Sequence, residues 1–273
     1  MFKKIKSSQT FLPSGFEIYD GTWAQVGKNK WFGGDHEKLF KEHCKKFPSD
    51  WYYRTHEVNY TVNSLGYRAP EFSSIKWEES IVIFGCSTVF GIGVDDSETI
   101  SSYLQDITNI PVINLGSGGK SINFIHHNSI ILSEFYKLPL AVVIIWPNFS
   151  RFTMYKPEVV VSLSSASEFA NFWSEYWLGT EHNAETYAYF ARLASKNIFG
   201  SKCIYYDLSW DEDTADILGC ENYPKSRMSY NLLPVHKARD GVHQPSIQLK
   251  DTAKLIAKNL FKQGLNFSFD NLK

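Results

Sequence analysis

The chain has 273 residues, a formal net charge of −1 and a sequence pI near 6.7. That length can bury a full core. The balanced charge excludes the basic footprint expected of a protein that binds nucleic acid or acidic lipid, and no apolar run reaches the ~18 residues needed to span a membrane.

Aromatic residues are abundant, at 16% of the chain (15 Tyr, 20 Phe and 8 Trp). Residues 1–10 are basic but lead into no apolar stretch, so no signal peptide is read and a cytoplasmic location is expected. The four cysteines, Cys44, Cys86, Cys203 and Cys220, form no C-x-x-C pair. Reduced thiols are therefore expected, with neither a disulfide framework nor a zinc site.

Residues 1–78 read as an extension packed on the main domain, which spans 79–273. Within the extension, 36–46 has a short charged helical pattern, while 51–54 and 58–62 read as short strands. Residues 63–71 form a turn cluster. From Ile81 the pattern becomes regular. The apolar, β-branched run 81–85 is a strand that ends at Gly85, and Ser97 opens a helix near 97–107. A second strand at 111–115 leads through the glycine loop 116–121 to a helix over 121–136. Residues 140–146 are apolar throughout, as in a strand buried on both faces. After the aromatic stretch 149–180 come a helix near 181–197, a strand at 203–207, an irregular region, and a closing helix over 246–262. Strands alternating with helices predict an α/β fold: a three-layer α/β/α sandwich around a mainly parallel, flavodoxin-like sheet.

In a parallel sheet, ligands bind at the carboxyl ends of the strands. Three loops leave that edge, Gly85-Cys86-Ser87, Asn114 to Gly119, and Trp146-Pro147-Asn148, and Asp240-Gly241-Val242-His243 precedes the last helix. Acyl transfer needs a nucleophile, a base, a group to orient the base, and oxyanion donors. Ser87 can supply the nucleophile and His243 the base. Asp240, three residues before His243, can hold the imidazole tautomer. The N–H groups of Ser87 and Gly119 and the side-chain amide of Asn148 can donate to the oxyanion. Each residue also has an ordinary reading. Ser87 starts a helix, Gly119 allows a turn, Asn148 caps or turns the chain, Asp240 caps the last helix or turns the chain before it, and His243 is a solvated loop residue.

Together these blocks resemble an SGNH (GDSL-type) hydrolase, over residues ~63–262. Gly85-Cys86-Ser87, with Phe90-Gly91-Ile92-Gly93 after it, stands where the family usually has Gly-Asp-Ser. The second block runs from Asn114 to Gly119. Trp146-Pro147-Asn148-Phe149 stands for the usual Gly-x-Asn-Asp, and Asp240-Gly241-Val242-His243 is intact. The lead-in Asn63-Ser64-Leu65-Gly66-Tyr67-Arg68 is similar to one found in a subset of such proteins. Cys86 and Phe149 replace two family aspartates, which weakens the hydrogen-bonded support of the site. The resemblance implies a serine esterase working through an acyl-enzyme, with no cofactor or metal, on a small-molecule or glycan ester. Phe149, Arg151 and Trp173 are expected to line the substrate, although the spacing of 169, 172, 173, 176 and 177 equally fits the buried face of a helix.

Three alternatives use overlapping residues: a catalytically degenerate ligand-binding domain, acyl transfer to a sugar, and a P-loop. In the last, Asn114 to Ser121 would cradle a phosphate, with Lys120 reaching it and Asp207 binding magnesium. Asn114 stands where that motif requires glycine. No G-x-G-x-x-G or G-x-S-x-G pattern is present, and the adjacent His126 and His127 give no metal-ligand spacing.

Overall fold

The computed structural model describes residues 26–155, 160–163, 171, 173–178, 182–223 and 237–268. Residues 1–10, read above for targeting, and positions 169 and 172 lie outside the described residues.

In chain order, β1 (Gly27–Asn29) is followed by α1 (Glu37–Lys46) and β2 (Tyr60–Val62), which pairs antiparallel with β1. Next come β3 (Ile81–Gly85), α2 (Ser87–Phe90), α3 (Ile100–Thr108), β4 (Val112–Gly116), α4 (Ile122–Phe135) and β5 (Ala141–Trp146). An antiparallel hairpin, β6 (Phe152–Tyr155) and β7 (Val160–Leu163), precedes a π-helical segment at Trp173–Leu178. The chain continues through α5 (Asn183–Gly200), β8 (Ile204–Ser209), α6 (Glu212–Leu218), β9 (Glu221–Asn222) and α7 (Ser246–Lys262).

The main sheet has five strands in the order β4-β3-β5-β8-β9, and every neighbouring pair is parallel. Counted from β3, this is 2-1-3-4-5, one of the two common doubly wound orders. β3 and β5 are apolar throughout because both of their faces are covered. Ile81, Ile83, Val143 and Ile145 face one way and pack with Leu104 of α3 and Ala253, Ile256 and Leu260 of α7. The alternate residues Val82, Phe84, Val142 and Ile144 face the other way and meet Ile125 and Leu132 of α4 and Ala188 and Ala191 of α5. Helices therefore cover both faces, giving three layers. Each of these fully buried aliphatic or aromatic side chains contributes roughly 1.5–3 kcal/mol. Among the described residues, no helix is long and apolar enough to cross a membrane.

The segment before the sheet enters the same core. Phe32, Trp51, Tyr53, Val58, Tyr60 and Val62 are buried with the side chains of α3 and α7. The expected strand at 51–54 is instead a 3₁₀ turn at Tyr52–Arg54, with Tyr53 buried and Tyr52 half-exposed. Its rings are held by this packing and not by a cross-strand partner. The strand expected at 58–62 is confined to β2. The short α6 and β9 lie in a region read as irregular, and β6 and β7 in the stretch read only as aromatic.

Arg68, from the turn cluster, is almost wholly buried behind α2. It donates to the carbonyls of Phe90 (3.2 Å), Gly91 (2.6 Å) and Val94 (3.2 Å), and pairs with Asp96 at 2.7 Å. The Phe90 and Gly91 carbonyls end a four-residue helix and have no helical partners of their own. Arg68 thus fixes the loop that carries Ser87.

Candidate active site

Gly85 ends β3, and Ser87 is the first residue of α2, at the carboxyl edge of an inner strand. The helix lies unusually close to the sheet. A Cβ on Gly116, at the end of β4, would sit 2.3 Å from the Phe90 nitrogen. Asn114 holds this approach from below, donating to the Val89 carbonyl at 2.8 Å. The Ser117 N–H donates to the Gly85 carbonyl at 3.0 Å, tying the second loop to the first. Gly119 follows in that loop with φ +68°, exposed, and with open space where a side chain would be.

The Asp240–His243 loop meets the Ser87 loop through residues flanking the predicted pair. Thr88 Oγ1, next to Ser87, donates to Gln244 Oε1, next to His243, at 3.0 Å. Six residues beyond Ser87, the Gly93 carbonyl accepts from the Arg239 N–H at 2.9 Å.

Asp240 and His243 are joined directly. His243 Nδ1 donates to Asp240 Oδ2, and Asp240 Oδ1 accepts the N–H groups of Val242 (3.1 Å) and His243 (3.0 Å). Asp240 is buried, whereas the His243 side chain is 21% exposed. Burial pushes the Asp240 carboxyl up. The hydrogen bond and charge of His243, with the two amide donors, outweigh it and hold the group below its ordinary range. Asp240 is therefore an anion at neutral pH, and with Nδ1 committed to it, Nε2 is the imidazole nitrogen left to exchange a proton. Asp240 does not cap the last helix: the N-cap of α7 is Pro245.

Among the described residues, the Ser87 hydroxyl has one polar neighbour, Cys86 Sγ at 4.0 Å. It makes no hydrogen bond to His243. The Ser87 and Gly119 N–H groups donate to no described residue. Asn148, two residues beyond β5, uses its side-chain oxygen to accept the N–H of Ser150 at 2.9 Å and also the Ser150 hydroxyl. This turn bears out the ordinary reading of Asn148 and, at the same time, orients its amide. With the oxygen occupied, Nδ2 is the part of the amide left to donate, and it has no acceptor among the described residues. No hydrogen bond links Asn148 to the other three loops.

Of the expected substrate-lining residues, Phe149 and Arg151 share the Asn148 loop and are half-buried. The Phe149 N–H donates to Thr214 Oγ1 at 3.1 Å, and its ring packs against the core on the α4 and α5 side. The Trp173 backbone belongs to the π-helical segment, and its side chain lies outside the described residues. Trp177 stands 4.5 Å from the Phe152 ring and 5.7 Å from Tyr187, which is packing of the core kind.

The phosphate-loop alternative loses two of its groups here. Ser121 is fully buried and bonded to Asn123 and Thr153. Asp207 is held by Arg192 (2.5 and 3.2 Å), Trp146 Nε1 (3.0 Å) and the Tyr205 hydroxyl (3.1 Å), so it is committed to the protein itself. Among the described residues, no cluster of three His, Cys, Asp or Glu side chains is arranged to hold a metal. A cavity of about 410 Å³ opens beside the start of α7, walled by Tyr52, Tyr53, Glu98 and Tyr103, and none of Ser87, Gly119, Asn148 or His243 lines it.

Lys120, next to Gly119, lies 5.7 Å from the Phe124 ring centroid, and burial pulls its amine down to about 8. The ordinary value is 10.5. Between those two values the unfolded chain binds more protons than the native one, so this group favours folding above about pH 10.5 and the benefit is lost as pH falls through about 8. The stability of the wild type is therefore expected to gain from this group as pH rises from about 8 towards 10.5, which urea unfolding across that range checks.

Sequence reasoning missed the residues that hold this arrangement together. Trp51 Nε1 donates to the Lys237 carbonyl at 3.0 Å, and His43 Nδ1 donates to the Arg239 carbonyl at 3.1 Å. Arg239 forms a buried ion pair with Asp35 at 2.6 Å. No local pattern announces partners some 200 positions apart. The one signal was a charged Arg239 directly before Asp240.

No protein-family model and no curated protein sequence matches the chain.

Proposed function

We propose that the protein is a serine ester hydrolase of SGNH type, in which Ser87 attacks an ester carbonyl and His243, oriented by Asp240, takes its proton. The observation that carries this reading is the Asp240–His243 pair: a buried carboxylate bonded to Nδ1 of a half-exposed imidazole, clasped through Gln244 to the residue beside Ser87. In the reaction, the Ser87 oxygen bonds to the carbonyl carbon while its proton moves to His243 Nε2. The tetrahedral oxyanion receives the Ser87 and Gly119 N–H groups and the Asn148 amide. Collapse expels the alcohol, which takes the proton from His243. Water then repeats the sequence on the acyl-enzyme. The Ser87–His243 hydrogen bond has to form on substrate binding, since such bonds are often long or absent in empty sites.

The same residues serve acyl transfer when a sugar hydroxyl replaces water. The aromatic stretch 149–180 of the sequence is the basis on which we favour a glycan ester as the substrate class. The test is hydrolysis of p-nitrophenyl acetate and of a peracetylated monosaccharide by the full chain at pH 7.5. Asn148→Ala should lower kcat about 10²–10³-fold, as expected for one oxyanion donor. Unchanged rates would remove Asn148 from the mechanism, and no turnover by the wild type on either ester would count against the esterase reading.

A further inference from the structure

A closed circuit of buried hydrogen bonds joins the two catalytic loops through the segment that precedes the sheet. The Gly93 N–H donates to the Tyr60 hydroxyl at 2.8 Å, and that hydroxyl donates to Asp35 Oδ2 at 2.5 Å. Arg239 Nε reaches the same carboxylate at 3.0 and 2.9 Å, and Nη2 at 2.6 Å. The Arg239 N–H returns to the Gly93 carbonyl at 2.9 Å, closing the ring. The Arg239 guanidinium also lies 4.1 Å from the Trp31 ring centroid. Asp35, Tyr60 and Arg239 are each at most 2% exposed. The two loops are so close here that a Cβ on Gly93 would lie 3.0 Å from Asp240 Oδ1.

We infer that Asp35 and Tyr60 are positioning residues for the reaction: through Arg239 and Gly93 they set the register of Asp240–His243 against Ser87. This inference rests on the esterase reading. The physical argument is one of magnitude. A buried ion pair adds little net stability over well-packed apolar side chains, because desolvation offsets the attraction. It does fix geometry, since every donor and acceptor demands its partner. Catalysis is sensitive to such geometry, and a displacement of about 1 Å can cost 10²-fold.

Two variants separate positioning from mere folding. Tyr60→Phe keeps the ring and removes the hydroxyl that bridges Gly93 and Asp35. On p-nitrophenyl acetate it should lower kcat at least about tenfold with KM within about twofold. The rate of fluorophosphonate labelling should fall by the same factor. Asp35→Leu with Arg239→Met removes both charges together. It should keep or raise the melting temperature while losing at least as much activity as Tyr60→Phe. Wild-type kcat in either folded variant, with the wild type active, would overturn the inference and leave the esterase reading standing. If the wild type itself neither turns over nor labels, the esterase reading fails. Hydrogen exchange then decides the structural half. Faster exchange of the Gly93 and Arg239 amides in Tyr60→Phe supports the circuit, and unchanged exchange overturns it.

Discussion

Ser87→Ala is expected to remove ester turnover almost entirely, by about 10⁶-fold in kcat, as when the nucleophile of a serine hydrolase is deleted. The size of the effect follows from position. Ser87 opens α2 at the carboxyl end of β3. In the proposed mechanism its loss removes the group that forms the acyl-enzyme and leaves the N–H as an oxyanion donor. Little should change in folding, because the hydroxyl's one polar neighbour is Cys86 Sγ at 4.0 Å. A melting temperature within a degree or two of wild type, with kcat at background, is the expected outcome. Residual turnover within tenfold of wild type would assign the chemistry to another group.

Asp240→Asn should cost about 10⁴-fold in kcat with KM little changed. The amide is nearly the same size as the carboxylate, and its oxygen can still accept the Val242 and His243 N–H groups. What changes is the partner of His243 Nδ1. An amide NH₂ donates where the carboxylate accepted, which drives the imidazole into the tautomer that cannot take a proton at Nε2. The negative charge that stabilises the imidazolium is lost as well. Asp240 is held ionised by His243 and two amides against the penalty of burial. The variant therefore also loses a stabilising term that the wild type has above about pH 4 and gives up as pH falls below it. Steady-state kinetics of Asp240→Asn beside Asp240→Ala check the tautomer argument. A lower kcat is expected for Asp240→Asn than for Asp240→Ala, in which no side chain enforces the wrong tautomer, and a fully active Asp240→Asn would refute it.

The central architecture was legible in the sequence because the strands are buried on both faces. Ile81–Gly85 and Ala141–Trp146 read as unbroken apolar runs, and the reason is visible in their alternate residues packing against opposite helical layers. The amphipathic α7 was read with its observed bounds, since Leu249, Ala253, Ile256 and Leu260 recur at helical spacing. Short elements escaped for the opposite reason. α6, Glu212–Leu218, is a charged seven-residue segment started by an Asp211 side-chain cap and held by α5. Nothing apolar and periodic announced it. Tyr52–Arg54 looked like a strand from its residue types, but tertiary packing of Tyr53 decided its conformation.

The candidate site was legible as four blocks but not as an assembly. Ser87, Gly119 and Asn148 could be placed on one sheet edge from the parallel pattern of the strands, whereas Asp240–His243 was located only before the last helix. The structure joins three of these loops by direct hydrogen bonds, while Asn148 keeps its contacts within its own loop and its neighbour Phe149 bonds to Thr214. Apart from Arg68, which ends the lead-in at 63–68, the supports came from residues outside any motif. Arg68 caps the Ser87 loop from behind, and Asp35, Tyr60 and His43 brace the loop before α7. Their roles depend on contacts between distant parts of the chain, which composition and periodicity do not encode.

The most direct test of the account is covalent labelling of the folded full chain with a fluorophosphonate at neutral pH, followed by peptide mapping of the adduct. The mechanism predicts one stoichiometric adduct, on Ser87. A folded protein that remains unlabelled, or an adduct on any other residue, would contradict it.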